Sequence, residues 1–158
     1  MSKFKIVLVA PEIPGNTGSI GRTCVALDLE LILIKPLAFD ISEKAVRRAG
    51  LDYWKHVSLK IYENFEDFLE KEKPAKEHLF FFSKTAQKNL FEAQFKKDSY
   101  LIFGSETKGL DPTILAHYSN ELVSLPMYSE HIRSLNLSNA ATAAAYEALR
   151  QIDFNNIS

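Results

Sequence analysis

The chain has 158 residues, 46% of them apolar and 25% charged, with a formal net charge of −1. That length suits one domain with a sizeable core, and the composition excludes disordered, collagen-like and coiled-coil chains. No apolar run nears the ~20 residues of a membrane span, no secretory pattern opens the chain, and the single cysteine, Cys24, can form neither an internal disulfide nor a metal cluster. A cytoplasmic location, no membrane and no metal are the resulting expectations.

The first element is a strand over FKIVLVA (4–10). It runs into PEIPGNTGSIGRTC (11–24), where three of the six glycines fall. This loop is expected to open a helix from Gly18 to Asp28, so that backbone N–H groups could meet an anion. Arg22 would sit one turn in, able to reach back over the loop. The Rossmann pattern and the P-loop lysine are absent, and a plain Gly/Pro turn with a solvated arginine reads equally well. A strand follows at LELILI (29–34), then a helix over 42–49 with Ser42 as N-cap. The segment 41–60 carries a local charge of +3 and interleaves Tyr53 and Trp54 with Arg47, Arg48, Lys55 and His56. Such a surface suits base stacking with phosphate contact; half-buried aromatics at a helix end are the alternative.

Beyond it come a strand at SLKIYE (58–63) and an acidic helix over 65–72 with Phe65, Phe68 and Leu69 on one face. A strand at HLFFFS (78–83) leads into a second basic segment, 84–97, again +3. The strand YLIFG (100–104) ends in GSETKGL, where Gly109 permits a special backbone angle and Glu106 is placed to cap backbone donors. A short helix begins at Pro112, and a last strand is expected at ELVSLP (121–126). The loop 126–136 leads to the clearest helix, Ser138 to Ile152, with alanines at 140, 141, 143, 144, 145 and 148. So small a stripe lets another backbone approach, whether a loop, a helix or a second subunit; strong helix propensity is the simpler explanation. Most strand runs are continuous, as in strands buried on both faces. Alternation with helices predicts an α/β domain with a mostly parallel, six-stranded sheet and helices on both faces. Ligands of such sheets bind at the carboxyl ends of strands. Cys24 reads as a buried structural thiol, and the four histidines lack metal-ligand spacing.

Taken together, the three loops resemble the motifs of the SPOUT methyltransferases, the trefoil-knotted group that uses S-adenosylmethionine. The first is NTGSIGR with Asn16, Gly18 and Arg22; the second is FGSETKGL with Gly104, Glu106 and Gly109; the third is LPM followed by SLNLSNA with Ser134, Asn136 and Asn139. Their order matches and the resemblance spans nearly the whole chain as one domain, 1–158. PEIPGNTG and RRAGLDYW (47–54) are most similar to the small members that methylate the ribose 2′-OH of the wobble nucleotide, cytidine or modified uridine, of leucine tRNAs. The resemblance implies a C-terminal deep trefoil knot and a homodimer formed by the first and last helices. It implies cofactor contacts from Phe82, Ser83, Gly104, Gly109, Leu125, Met127, Ser134 and Leu135, with Asn139 holding the loop. It makes Arg22 the catalytic arginine, reaching the site of the other protomer. A guanidinium keeps its proton, so Arg22 would bind the adjacent phosphate and stabilise the developing alkoxide. Asn16, Ser134 and Asn136 would orient the ribose. The tRNA would meet Arg47, Arg48, Tyr53, Trp54 and Lys55. The same fold acting on ribosomal RNA, or serving as a non-catalytic RNA-binding dimer, are the alternatives.

Overall fold

The structure is a computed structural model that describes residues 2–154, with Glu43 as backbone only. Met1 and residues 155–158, part of the expected domain, lie outside the described residues. Six strands form one sheet: β1 (Lys5–Val9), β2 (Glu30–Ile34), β3 (Ser58–Tyr62), β4 (Leu79–Phe82), β5 (Tyr100–Phe103) and β6 (Leu122–Val123). Their order is β3-β2-β1-β5-β4-β6, and every pairing is parallel. The α-helices are α1 (Pro14–Leu27), α2 (Glu43–Arg48), α3 (Phe65–Glu72), α4 (Pro112–His117) and α5 (Leu137–Phe154).

Successive strand residues point to opposite faces, and this splits the core in two. On one face Ile6, Leu8, Leu31, Leu33, Leu101 and Phe103 pack under Ile20 and Cys24 of α1 and the alanines of α5. On the other, Val7, Ile32, Phe81 and Ile102 pack under Phe68 of α3 and Tyr118. Both faces of the central strands are therefore covered, which is why their sequences are continuous rather than alternating. β3 is an edge strand, and there Ser58, Lys60 and Ile61 are exposed.

The helices start where side chains satisfy the free N–H groups of the first turn. Ser42 accepts from Ala45 N at 3.3 Å, Asn64 from Asp67 N at 2.7 Å and Asp111 from Thr113 N at 2.8 Å. α1 differs. It begins at Pro14 rather than Gly18, four residues earlier than expected, and its N-cap residue Ile13 offers no side-chain acceptor.

In α5, Ala141, Ala144, Ala145 and Ala148 are fully buried against the chain's own core, and Thr142 meets Thr23 of α1 through their hydroxyls at 2.8 Å. The close approach these alanines permit is thus to the sheet and α1. Ala143 and Tyr146 face outward. Ala144→Leu is therefore expected to overpack the interior and lower the unfolding free energy by about 1–3 kcal/mol. Urea denaturation checks this; unchanged stability with altered self-association would place the stripe in a subunit contact instead.

Candidate active site

A cleft of about 650 Å³ opens at the carboxyl ends of the strands, where ligands of parallel sheets bind. β4 ends in Phe82 and Ser83 on its wall. Beyond β5, the loop from Gly104 to Gly109 forms a second wall. The segment after β6 supplies Leu125, Met127, Ser134 and Leu135, and Asn16 and Asn136 close one side. All eight side chains or turns expected at the cofactor, other than Asn139, line this cleft together with two of the three expected catalytic residues.

The turn after β5 is tight because two backbone segments touch. A Cβ on Gly104 would lie 2.1 Å from the Gly109 carbonyl carbon, so no side chain fits at this position. Gly109 has φ +68°, and its N–H donates to Ser105 O at 2.9 Å. Phe82 and Phe103 stack at 4.4 Å between ring centroids and give the cleft a flat apolar floor.

Two glutamates tie the walls to the start of α1. Glu106 Oε1 accepts from Glu12 N at 2.8 Å, and its Oε2 accepts from Ile13 N at 2.9 Å. Ile13 is the N-cap residue of α1 and Glu12 the residue before it, so the carboxylate holds the entry to the helix. In the opposite direction, Glu12 Oε1 accepts from the Thr107 N–H at 3.0 Å and the Thr107 hydroxyl at 2.7 Å. Those two bonds hold the Glu12 carboxyl below the usual glutamate range.

The chain of bonds continues into the third loop. Asn16 Nδ2 donates to Glu106 Oε2 at 3.2 Å, and Asn16 Oδ1 accepts from Asn136 Nδ2 at 3.2 Å. Asn136 Oδ1 accepts from Ser138 N at 2.9 Å, the Ser138 hydroxyl at 2.5 Å and Asn139 N at 3.2 Å. Asn136 thereby caps α5, which begins at Leu137, one residue before the expected start. The sequence marked Asn16 and Asn136 as groups for a substrate; it did not show that each already spends its carbonyl oxygen on this relay. Asn139 takes part through its backbone and does not line the cleft.

Arg22 is not at the cleft. With α1 starting at Pro14, it sits two turns in rather than one, exposed, with its guanidinium carbon 5.4 Å from the centroid of the Tyr53 ring. Tyr53 donates its hydroxyl to Gly18 O at 2.8 Å, and burial raises its pKa, opposed by the neighbouring Arg22. Trp54 lies over Gly21, where a Cβ would come within 2.6 Å of the indole. Both aromatics are half-buried on α1, whereas Arg47, Arg48 and Lys55 are exposed around them. The basic segment and Arg22 thus form one surface patch, separate from the cleft of the same chain.

Cys24 is buried in the core, and burial pushes its thiol up to about 12, the state of an inert structural cysteine. Among the described residues no group of His, Cys, Asp or Glu could hold a metal ion. Nor is any described helix long and apolar enough to cross a membrane.

Comparison with known proteins agrees with this geometry. The family model described as the SpoU rRNA Methylase family matches residues 3–146. A Listeria monocytogenes protein, provisionally named a tRNA (cytidine(34)-2′-O)-methyltransferase, is 43% identical over 150 residues, covering 94% of this chain and 88% of that protein. A solved structure described under 2-OH methylation of C/U34 on tRNA superposes with a TM-score of 0.85 at 44% identity, covering 94% of this chain and 95% of the other. The methyltransferase AviRb of Streptomyces viridochromogenes, solved in complex with AdoMet, superposes with a TM-score of 0.75 at 28% identity, covering 96% of this chain and 61% of the other.

The Glu12–Thr107 tie makes a pH prediction. The folded-state pKa of Glu12 is depressed, so the tie contributes fully above the unfolded value of ~4.3 and is lost as pH falls from there through the folded value. The Thr107 amide resonance should titrate with a midpoint below that of a free glutamate, and Glu12→Gln should remove the step. A midpoint at or above the free value would mean that the two bonds do not persist in solution.

Proposed function

The chain belongs to the SpoU methylase family, and we propose that it transfers a methyl group from S-adenosylmethionine to the ribose 2′-OH of the wobble nucleotide, cytidine or a modified uridine, of tRNA. The observation that carries this reading is the single cleft at which all three loops meet, tied by the Glu106–Asn16–Asn136 relay. Leucine tRNAs are the substrates that the resemblance of PEIPGNTG and RRAGLDYW favours. A tRNA substrate fits a cytoplasmic location. Residues 1–158 would form one SPOUT domain, with its C-terminal trefoil knot.

The cleft fits the cofactor. Its volume of about 650 Å³ lies within the usual range for small-molecule sites, and its mixture of apolar walls with a few converging polar groups is what such sites use. Phe82, Leu125, Met127 and Leu135 offer apolar faces to an adenine and a thioether-like chain, and Ser83, Ser134 and the loop backbone at 104–109 offer hydrogen bonds. When bound, S-adenosylmethionine supplies an already activated methyl.

What remains for the protein is to align a hydroxyl with that methyl and to assist loss of its proton. Asn16 and Asn136 sit on the cleft wall in fixed orientation, because Glu106 and the first turn of α5 hold them. Each retains one amide hydrogen outside the relay, and with Ser134 these would position the ribose. Arg22 would bind the neighbouring phosphate in bidentate fashion and stabilise the developing alkoxide. It cannot be the base, so phosphate or water takes the proton.

Arg22 stands outside its own chain's cleft, so this role requires a homodimer in which it serves the partner's cleft. Tyr53 and Gly18 fix the ring on which Arg22 rests. Arg47, Arg48 and Lys55 would contact tRNA phosphates around it, with Tyr53 and Trp54 setting the shape of that surface.

Two measurements test the reading. Labelled S-adenosylmethionine with wobble-unmodified tRNA should place label on the wobble ribose; label appearing on ribosomal RNA alone would overturn the substrate. Arg22→Ala should reduce turnover by about 10²-fold or more, and Arg22→Lys should recover only part of it. Co-folded Arg22→Ala and Asn136→Ala chains should regain about a quarter of wild-type activity, since half the dimers are mixed and each carries one intact site. Failure of the mixture to exceed its components would show that Arg22 acts in its own chain.

A further inference from the structure

The second basic segment has no part in the site described so far. Residues 83–99 join β4 to the adjacent parallel strand β5 without a helix, yet the excursion is firmly seated. Leu90 N donates to Ser124 O at 2.7 Å, Ser124 N donates to Lys88 O at 3.0 Å, and Phe95 N donates to Gln151 Oε1 of α5 at 2.8 Å. Asn89 and Glu92 bond reciprocally: Asn89 Oδ1 accepts from Phe91 N and Glu92 N, and Glu92 Oε1 accepts from Asn89 N. Leu90, Ala93 and Phe95 are buried, while Phe91 between them is 64% exposed.

A single exposed aromatic needs no explanation by itself. This one is held outward by a fixed turn, three residues after Lys88 and five before Lys96. Lys84, Lys88, Lys96 and Lys97 are all exposed, and among the described residues none of them makes an ion pair. Lys88 and Lys96 line a groove of about 410 Å³ beside the edge strand β6, together with Lys76, Gln94 and Asn120. Glu77 and Glu121 also line it; Lys76 lies 3.7 Å from Glu121, and Glu92 is spent on the turn. Lys84 lines the main cleft, and Val123 lines both cavities. The groove and the cleft thus approach the same strand, β6, from two sides.

We propose that Phe91 with Lys88 and Lys96 forms a second RNA-contacting surface, on which a base of the substrate stacks on Phe91 while the adjoining phosphodiester backbone lies along the groove. This rests on the RNA substrate proposed above. Phosphates select unpaired lysines, and a base offers the flat face that an exposed, rigidly presented ring accepts. The surface shares a core layer with the Arg47–Lys55 patch but lies at the opposite edge of the sheet, beside β6 rather than β3.

The test compares wild type, Phe91→Ala, Phe91→Tyr and the double variant Lys88→Ala/Lys96→Ala. Each is measured for Kd with wobble-unmodified tRNA, for Kd with S-adenosylmethionine, for methyl transfer and for sedimentation. Phe91→Ala should weaken tRNA binding about tenfold, and Phe91→Tyr should retain it. The double variant should lower the slope of log K against log salt by about 1.5. Cofactor affinity and oligomeric state should not change. Unchanged tRNA binding in both Phe91→Ala and the double variant overturns this surface while leaving the methyltransferase reading intact. A change of sedimentation in Phe91→Ala means that a second copy of the chain covers the ring, which also overturns it. Weakened binding in a wild-type background that binds tRNA but never methylates it supports the surface and removes the catalytic reading.

Discussion

The site depends on one carboxylate. Glu106 leaves the end of β5 and accepts from Glu12 N and Ile13 N, the two residues that lead into α1. Unpaired N–H groups at a helix start are costly when they are shielded from water. Here the partner comes from a loop 94 positions away in the chain, and Asn16 on the same helix takes the remaining capacity of the same carboxylate. A single group thus fixes the start of α1 relative to the turn after β5. Through Asn16 and Asn136 the constraint passes to the first turn of α5. Three loops far apart in sequence share one polar chain, so none can shift without breaking bonds in the other two.

The sheet order makes that chain possible. β1 and β5 are neighbours in parallel register, Leu8 opposite Phe103, so the segments that follow them emerge side by side. β4 lies next to β5 and β6 next to β4, which brings Phe82, Ser83 and Leu125 to the same end. Gly104 then lets the turn after β5 fold back on its own backbone, within a distance that no Cβ tolerates. The cleft is what remains between walls whose positions are set by strand pairing on one side and by the polar chain on the other.

Much of the fold was legible because burial on both faces leaves its mark in the sequence. All six strands coincide with the apolar runs, and the cap Ser42 acts next to the residue it serves. The start of α1 was not legible. Pro14-Gly15-Asn16-Thr17 is a turn by local propensity, and the group that holds it from outside is the distant Glu106, although the residue itself was readable as a cap for backbone donors. The loops that line the cleft could be found because strand ends and glycines locate them. The place of Arg22 could not, since its distance from the cleft depends on where the helix begins and on how Tyr53 and Trp54 pack against Gly18 and Gly21. The alanine stripe was legible as a close-packing surface, but only the fold shows that the chain's own sheet fills it.

A chain of net charge −1 that handles RNA must keep its charges apart, and here the sheet does so. The acidic helix α3 anchors through Phe65, Phe68 and Leu69 to one face of the sheet. Both basic segments anchor to the other, 41–59 through Ile41, Trp54, Val57 and Leu59, and 84–97 through Leu90, Ala93 and Phe95, while Lys60 pairs with Glu72 of α3. Packed layers stand ~10 Å apart, so two layers separate α3 from the basic face by roughly twice the Debye length of ~8 Å at physiological ionic strength. At that separation the carboxylates of α3 contribute little to the potential felt by a phosphate on the basic face. Two of them are also committed locally: Glu72 is held by the Tyr62 and Tyr100 hydroxyls and Lys60, and Asp67 by Lys71. Net charge is therefore the wrong quantity for judging this protein's partner. What a polyanion meets is one layer with the cleft at its end, and a second copy of the chain related by a two-fold axis would double that layer rather than cancel it.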